Sequence, residues 1–128
     1  MKRTVLEFSI RADAAEPASA VIPRIEKALG CSLQSEWIQG EYVRQGYLLG
    51  MKIFFSEWRG IGGAPTFQLH GFAENFTPET ADFVDISLAV IGLLAEHEAG
   101  TWRVPSNKEI DAEIANASGT GAEEPSGE

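Results

Sequence analysis

Apolar and polar residues alternate near the start of the chain, and this alternation predicts a β-strand over residues 4–10. Leu6, Phe8 and Ile10 fall on one side of this segment, and mostly polar residues fall on the other. A period of two is typical of a strand with one buried face. Apolar and aromatic residues predict three further strands, over residues 36–43, 47–58 and 66–73. We expect the turn between the second and third strands at Arg44–Gly46, where polar residues and a glycine interrupt the pattern.

Residues 18–29 have the spacing of a helix. Apolar residues recur there at every fourth position: Val21, Ile25 and Leu29. Gly30 follows directly, where a helix commonly ends in a left-handed residue. Because proline is tolerated only near a helix start, Pro23 predicts that the helix begins closer to Val21 or is kinked.

A second helix is predicted between Thr77 and Gly100. The run Thr77–Glu79 supplies a capping hydroxyl, a proline favoured in the first turn and an acid suited to a helix N-terminus. The apolar stripe of this helix is expected to consist of Phe83, Ile86, Val90, Ile91 and Leu94. The S-x-x-E pattern of Ser106–Glu109 is a capping box and predicts a small third helix.

The predicted elements define an α+β fold in the order β-α-β-β-β-α, followed by a strand or a helix. A single antiparallel sheet of four to five strands, with two main helices packed on one face, accommodates this order. Residues 1–116 are predicted to form a single domain. Residues 117–128 carry no large apolar side chain that could offset the entropy of ordering, so they are predicted to be a flexible acidic tail.

The charge balance narrows the choice of partners. The 128 residues carry 10 Lys and Arg against 19 Asp and Glu, a net charge of −9. Binding to nucleic acid or to an anionic membrane needs a basic surface, so we expect neither partner. Glu7 interrupts the N-terminal apolar stretch, so it is not typical of a signal-peptide core, and no apolar run reaches the about 20 residues of a membrane span. A cytoplasmic protein is therefore expected.

Catalytic motifs do not emerge from the sequence. Cys31 is the sole cysteine, and His70 and His97 are the two histidines. Neither histidine belongs to a complete metal-binding motif, because Thr101 stands where H-E-x-x-H requires its second histidine. We therefore expect no enzyme activity, no catalytic residue, no metal and no cofactor. The alternative is a small-molecule-binding or enzymatic domain with a cleft near His70 or Cys31.

Four charged residues are candidates for contact with a protein partner: Glu36, Glu41, Glu57 and Arg59. They lie beside the aromatic residues Trp37, Tyr42 and Trp58. Aromatic side chains with a few charges are typical of binding hot spots. The alternative is that the tryptophans belong to the core and the acids to its solvated rim, because tryptophan is usually well buried.

The segment Gly100–Ser106, which reads GTWRVPS, follows the second predicted helix. Together with the element order, it resembles small immunity proteins of bacterial polymorphic-toxin and contact-dependent growth inhibition systems. This resemblance implies an α+β protein of the cytoplasm that binds and blocks one cognate toxin domain, often a basic nuclease. A homodimer that forms through an open sheet edge is a further alternative.

Overall fold

The computed structural model describes residues 3–38, 41–59 and 65–122, and the side chains of 3–35, 43–57 and 65–115. The strands of this part are β1 (Arg3–Asp13), β2 (Gln34–Ile38), β3 (Glu41–Leu48), β4 (Met51–Arg59), β5 (Pro65–Ala73) and β6 (Ala81–Asp85). The α-helices are α1 (Ala18–Leu29), α2 (Ser87–Glu96) and α3 (Asn107–Ala122). None of the helices described is long and apolar enough to cross a membrane.

The strands form one mixed sheet in the order β2-β3-β4-β5-β1-β6. The α+β class is therefore confirmed, but the antiparallel sheet of four to five strands is only roughly matched. There are two differences: β6 pairs with β1 in parallel, and residues 36–43, predicted as one strand, are divided between the antiparallel strands β2 and β3. Thr77–Glu79 was expected to start the second helix, but Pro78–Thr80 forms a single 3-10 turn that leads into β6. Phe83 consequently lies on a strand and is exposed, not on a buried helical stripe.

The hairpin of β3 and β4 turns at a place that the sequence pattern did not predict. Leu49 and Gly50 connect the strands, and both have left-handed backbones, with φ of 51° and 79°. The expected turn at Arg44–Gly46 is wrong, because these residues lie within β3. A Cβ atom at Gly46 would lie 2.3 Å from the Ser32 carbonyl oxygen, so the glycine permits a close backbone approach rather than a turn.

Helix α1 matches its predicted range. It begins at Ala18, so the later start near Val21 that Pro23 suggested is wrong, and it continues past Pro23. Gly30 ends it with φ of 72°, and its N–H donates to the Glu26 carbonyl oxygen. This is the left-handed ending expected of a glycine in that position.

The hydrophobic core lies between α1, α2 and one side of the sheet, which we call the core face. Its fully buried residues include Ile10, Ile25, Ile53, Leu69 and Leu94. Trp102 also belongs to this core, and its indole N–H donates to the Ala99 carbonyl oxygen at 2.9 Å. The tryptophan of the GTWRVPS segment thus has a packing role.

The opposite side of the sheet, which we call the second face, is covered at β1 by α3. The predicted capping box forms in part: Ser106 Oγ accepts the Glu109 N–H at 3.1 Å, whereas the Glu109 carboxylate binds Arg103. Arg103 is bonded through its backbone to Arg11 of β1, and its guanidinium pairs with Glu109 at 2.6 Å. Helix α3 extends to Ala122, into the predicted tail. Residues 123–128 lie outside the described part of the chain.

Candidate interaction surface

Strand alternation places a row of polar and aromatic residues across the second face. Gln45, Phe54, His70 and Ser9 follow one another on β3, β4, β5 and β1, as the strand register shows. The neighbouring row consists of Tyr47, Lys52 and Phe72. Strand alternation places His70 and Phe72 on the side of β5 opposite Leu69. It could not show which strands lie beside them.

The aromatic patch, which we define as Tyr47, Lys52, Phe54 and Phe72, is the exposed part of this face. Tyr47 is 64% exposed and Phe72 is 41% exposed. The rings of Phe54 and Phe72 stack with their centroids 5.5 Å apart, and Lys52 Nζ lies 5.5 Å from the Phe54 ring centroid. These contacts order the rings before any partner arrives, which lowers the entropy cost of binding.

Leu49 lies at the tip of the hairpin that carries this patch. It is a large apolar residue, it is exposed, and its φ is 51°. Residues other than glycine rarely adopt a left-handed backbone, because the Cβ atom makes it unfavourable. Because Leu49 is exposed, core packing does not compensate for this backbone strain. Its side chain adds an apolar residue at one end of the aromatic patch.

A polar network joins the second face to α3. The buried Arg11 guanidinium donates to both carboxylate oxygens of Glu113, at 2.8 and 2.9 Å. A third nitrogen of Arg11 donates to Ser9 Oγ at 3.0 Å. Ser9 Oγ lies 3.1 Å from His70 Nδ1. A two-bond fork of this type is strong and directional, so it fixes the position of α3 on the sheet.

The network also determines the state of His70. Because arginine only donates, Ser9 Oγ accepts from Arg11 and its own hydrogen is free to donate to His70 Nδ1. The proton of the neutral ring then belongs on Nε2, which lies 3.4 Å from Gln68 Oε1. Burial, followed by the charge of Arg11, lowers the pKa of His70 from 6.5 to about 4. His70 is thus a neutral hydrogen-bonding group at physiological pH.

A cleft of about 280 Å³ adjoins this network, and we call it the His70 cleft. Its lining includes Glu7, Ser9, His70, Phe72 and Asp85. Glu7 and Asp85 are register partners on β1 and β6. Asp85 also accepts the Ser87 N–H at 2.8 Å and so helps to start α2. The cleft offers two carboxylates beside an aromatic ring.

The titratable groups His70 and Cys31 are poorly suited to acid–base or nucleophilic catalysis. A general base works best with a pKa near the operating pH, and the lowered pKa of His70 makes it a weak base towards Ser9. Cys31 follows α1, and burial together with the charge of Glu26 raises the pKa of its thiol. A raised pKa diminishes the reactive thiolate. Among the described residues, no group of three or more His, Cys, Asp and Glu side chains could hold a metal ion.

The four predicted contact residues lie at another end of the sheet. The backbones of Glu36 and Glu41 belong to the β2–β3 hairpin, and Arg59 ends β4. The side chains of these three residues lie outside the described part. Glu57 is exposed at the rim of a cleft of about 200 Å³ that is also lined by Arg44. Partner contact by all four residues remains a prediction.

His97, the other histidine, lies at the C-terminal end of α2. It is exposed, and its Nδ1 lies 3.1 Å from the Leu93 carbonyl oxygen. The aromatic patch was missed because Tyr47 and Phe72 look like ordinary strand residues without the register. Comparison with protein-family models, curated proteins and solved structures finds no match to this chain.

Proposed function

We propose that this chain binds a cognate toxin domain in the cytoplasm and neutralises it, as an immunity protein does. The second face supplies the principal contact. The observation that carries the proposal is the exposed aromatic patch, which lies beside the carboxylates of the His70 cleft. An aromatic centre with charged groups around it is the usual composition of a binding hot spot.

The chemistry of this surface favours a basic partner. Tyr47 and Phe72 bring large apolar areas that are ordered by few rotatable bonds, so each loses little entropy on binding. Glu7 and Asp85 can accept hydrogen bonds from lysine or arginine side chains. The net charge of −9 accelerates the approach of a positively charged protein. A basic nuclease domain fits these properties, in agreement with the resemblance.

The test is a calorimetric titration of this protein with a purified toxin domain that is encoded by a genetically linked gene. We expect a dissociation constant in the nanomolar range, and we expect Tyr47→Ala or Phe72→Ala to weaken it by about tenfold or more. Leu88→Ala is the matched control, since Leu88 is 77% exposed on α2, on the other side of the sheet. Unchanged affinity in both patch variants contradicts the use of this face. If no linked toxin binds, the functional proposal fails.

Enzymatic function is the second candidate, and the contact between Ser9 Oγ and His70 Nδ1 at 3.1 Å favours it. A serine beside a histidine is the geometry of an activated nucleophile. Labelling by a fluorophosphonate probe distinguishes the two functions. A nucleophilic serine reacts with the probe, and the reaction is lost in Ser9→Ala. The binding function predicts no labelling of either protein.

A further inference from the structure

We propose that the outer edge of β6 binds an extended basic segment of the partner protein, which adds a strand to the sheet. The inference rests on the proposed function, because it describes how part of the partner is held. Strand addition uses backbone hydrogen bonds for affinity and alternate side chains for selectivity.

The backbone of β6 presents unused hydrogen-bonding groups. β6 is the last strand of the sheet, and β1 is its only neighbour in the described part of the chain. The Ile86 N–H donates to the Glu7 carbonyl oxygen at 2.8 Å, so the backbone groups of Ile86 and Val84 point towards β1. The alternate residues, Phe83 and Asp85, therefore direct their N–H and C=O groups away from the sheet.

Apolar side chains flank this edge on both faces. Phe83 is 48% exposed and Val84 is 42% exposed, and as consecutive strand residues they point to opposite faces. Phe83 is oriented by an edge-to-face contact with Phe76, with the ring centroids 5.2 Å apart. A strand added here would find one apolar neighbour above the sheet and one below it.

The acidic residues near β6 favour a basic segment as the added strand. Residues 71–96 contain five acidic residues and no Lys, Arg or His, and one cation of β1, Arg3, lies beside them and donates to the Asn75 carbonyl oxygen at 3.1 Å. Two copies of β6 paired antiparallel would bring four aspartates, Asp82 and Asp85 of both chains, onto two five-residue strands, and this concentration of negative charge disfavours a homodimer at this edge. A segment that alternates apolar and basic residues instead complements both the apolar side chains and the acids.

The edge is continuous with the proposed contact surface. Asp85 ends β6 and also lines the His70 cleft, next to Glu7 and close to Phe72 of the aromatic patch. One partner can therefore place a strand along β6 and seat an adjoining basic side chain in the cleft.

A synthetic peptide tests the inference without the toxin. The probe alternates valine and lysine over about nine residues, a common strand length, and the control replaces every lysine with glutamate. We expect the basic peptide to shift the amide NMR signals of residues 81–85 and to slow hydrogen exchange at Phe83 and Asp85. Absence of binding, equal binding of both peptides, or shifts confined to other segments would overturn the inference.

Two substitutions at one position separate backbone pairing from simple side-chain contact. Phe83→Pro removes the outward N–H, a change that edge strands tolerate, whereas Phe83→Ala removes the ring and keeps the N–H. We expect the proline variant to lose about tenfold more peptide affinity than the alanine variant. Equal losses overturn strand addition. If Phe83→Pro does not fold, strand addition is tested in the unaltered protein, by whether the basic peptide slows hydrogen exchange at Phe83.

The toxin complex separates this inference from the proposed function. If Phe72→Ala weakens toxin binding and Phe83→Pro does not, the edge inference is wrong while the functional proposal stands. If the linked toxin does not bind but the basic peptide docks on β6, the functional proposal fails and the edge site stands. A concentration-dependent dimer that shifts the β6 signals would show a second copy as the occupant and overturn the choice of a basic partner.

Discussion

The two faces of the sheet are covered in physically different ways. On the core face, α1 and α2 bury residues such as Ile53 and Leu69 completely. On the second face, α3 is bound through Arg11 and Glu113, while its apolar residues Ile110 and Ile114 remain exposed, at 36% and 59%. Apolar packing depends little on pH, whereas charge pairs and buried polar groups respond to protonation. We therefore expect most of the stability to come from the core face, whereas the proposed binding surface lies on the second face.

The largest effect is expected from breaking the core face. Leu69→Ala removes a fully buried side chain and leaves a cavity between the sheet and the helices. Such changes lower the free energy of unfolding by about 2–5 kcal/mol. Urea denaturation measures the loss, with Leu88→Ala as the exposed control. A loss similar to that of the control would show that the core face is not the main source of stability.

Acid is expected to act mainly through the second face. The pKa of His70 is about 4 in the folded protein, below its ordinary value of 6.5, so between these values the unfolded chain binds a proton that the folded chain does not. The free energy of unfolding therefore falls as pH drops through this window, by up to about 3 kcal/mol from His70. Above pH 6.5 this contribution is fully retained.

Two histidine variants isolate that contribution from the carboxylates, which titrate in the same window. We expect His70→Gln to flatten the dependence of stability on pH between 6.5 and 4, and His97→Gln to leave it steep. Parallel urea denaturations at several pH values measure both slopes. Equal slopes in the two variants would mean that the burial of His70 does not contribute.

A smaller effect is expected at the helix that covers the second face. Glu113→Gln removes the charge that Arg11 binds with two hydrogen bonds and should cost about 1–3 kcal/mol. Asp111→Asn is the control, because Asp111 is exposed on the same helix. Hydrogen exchange of the α3 amides should accelerate in Glu113→Gln and remain slow in the control. Unchanged exchange would mean that other contacts hold α3.

The sequence predicted elements well where local chemistry decides them. The spacing of Val21, Ile25 and Leu29, with Gly30 after them, located α1, and Ser106 located the start of α3. Alternation in β1 also placed Phe8 and Ile10 correctly on the buried side. These signals are local, because each depends on neighbouring residues in one strand or one helical turn.

Long-range pairing is where the sequence prediction failed. Strand β6 forms because its backbone pairs with β1, more than 70 positions away, as in the register of Arg3 with Ala81. Nothing near Pro78 indicates that neighbour. The local pattern predicts a turn at Gly46, whereas in the structure this glycine leaves room for the Ser32 carbonyl oxygen. The binding surface depends on the same register, so the aromatic patch could not be recognised before the strands were aligned.

The smallest effect on stability, and the largest on binding, is expected at the aromatic patch. Tyr47→Ala removes an exposed side chain, so it should change the free energy of unfolding by less than about 0.5 kcal/mol. Denaturation and toxin titration of the same sample separate the two effects. A large loss of stability would show that Tyr47 is needed for folding rather than mainly for binding.

Hydroxyl-radical footprinting of the toxin complex tests the central claim most directly, because it reports the exposure of individual side chains. The account predicts that Tyr47, Leu49 and Phe72 are oxidised readily in the free protein and are protected in the complex, while Leu88 is oxidised equally in both. Protection of Leu88, with Tyr47 and Phe72 left reactive, would contradict the assignment of binding to the second face.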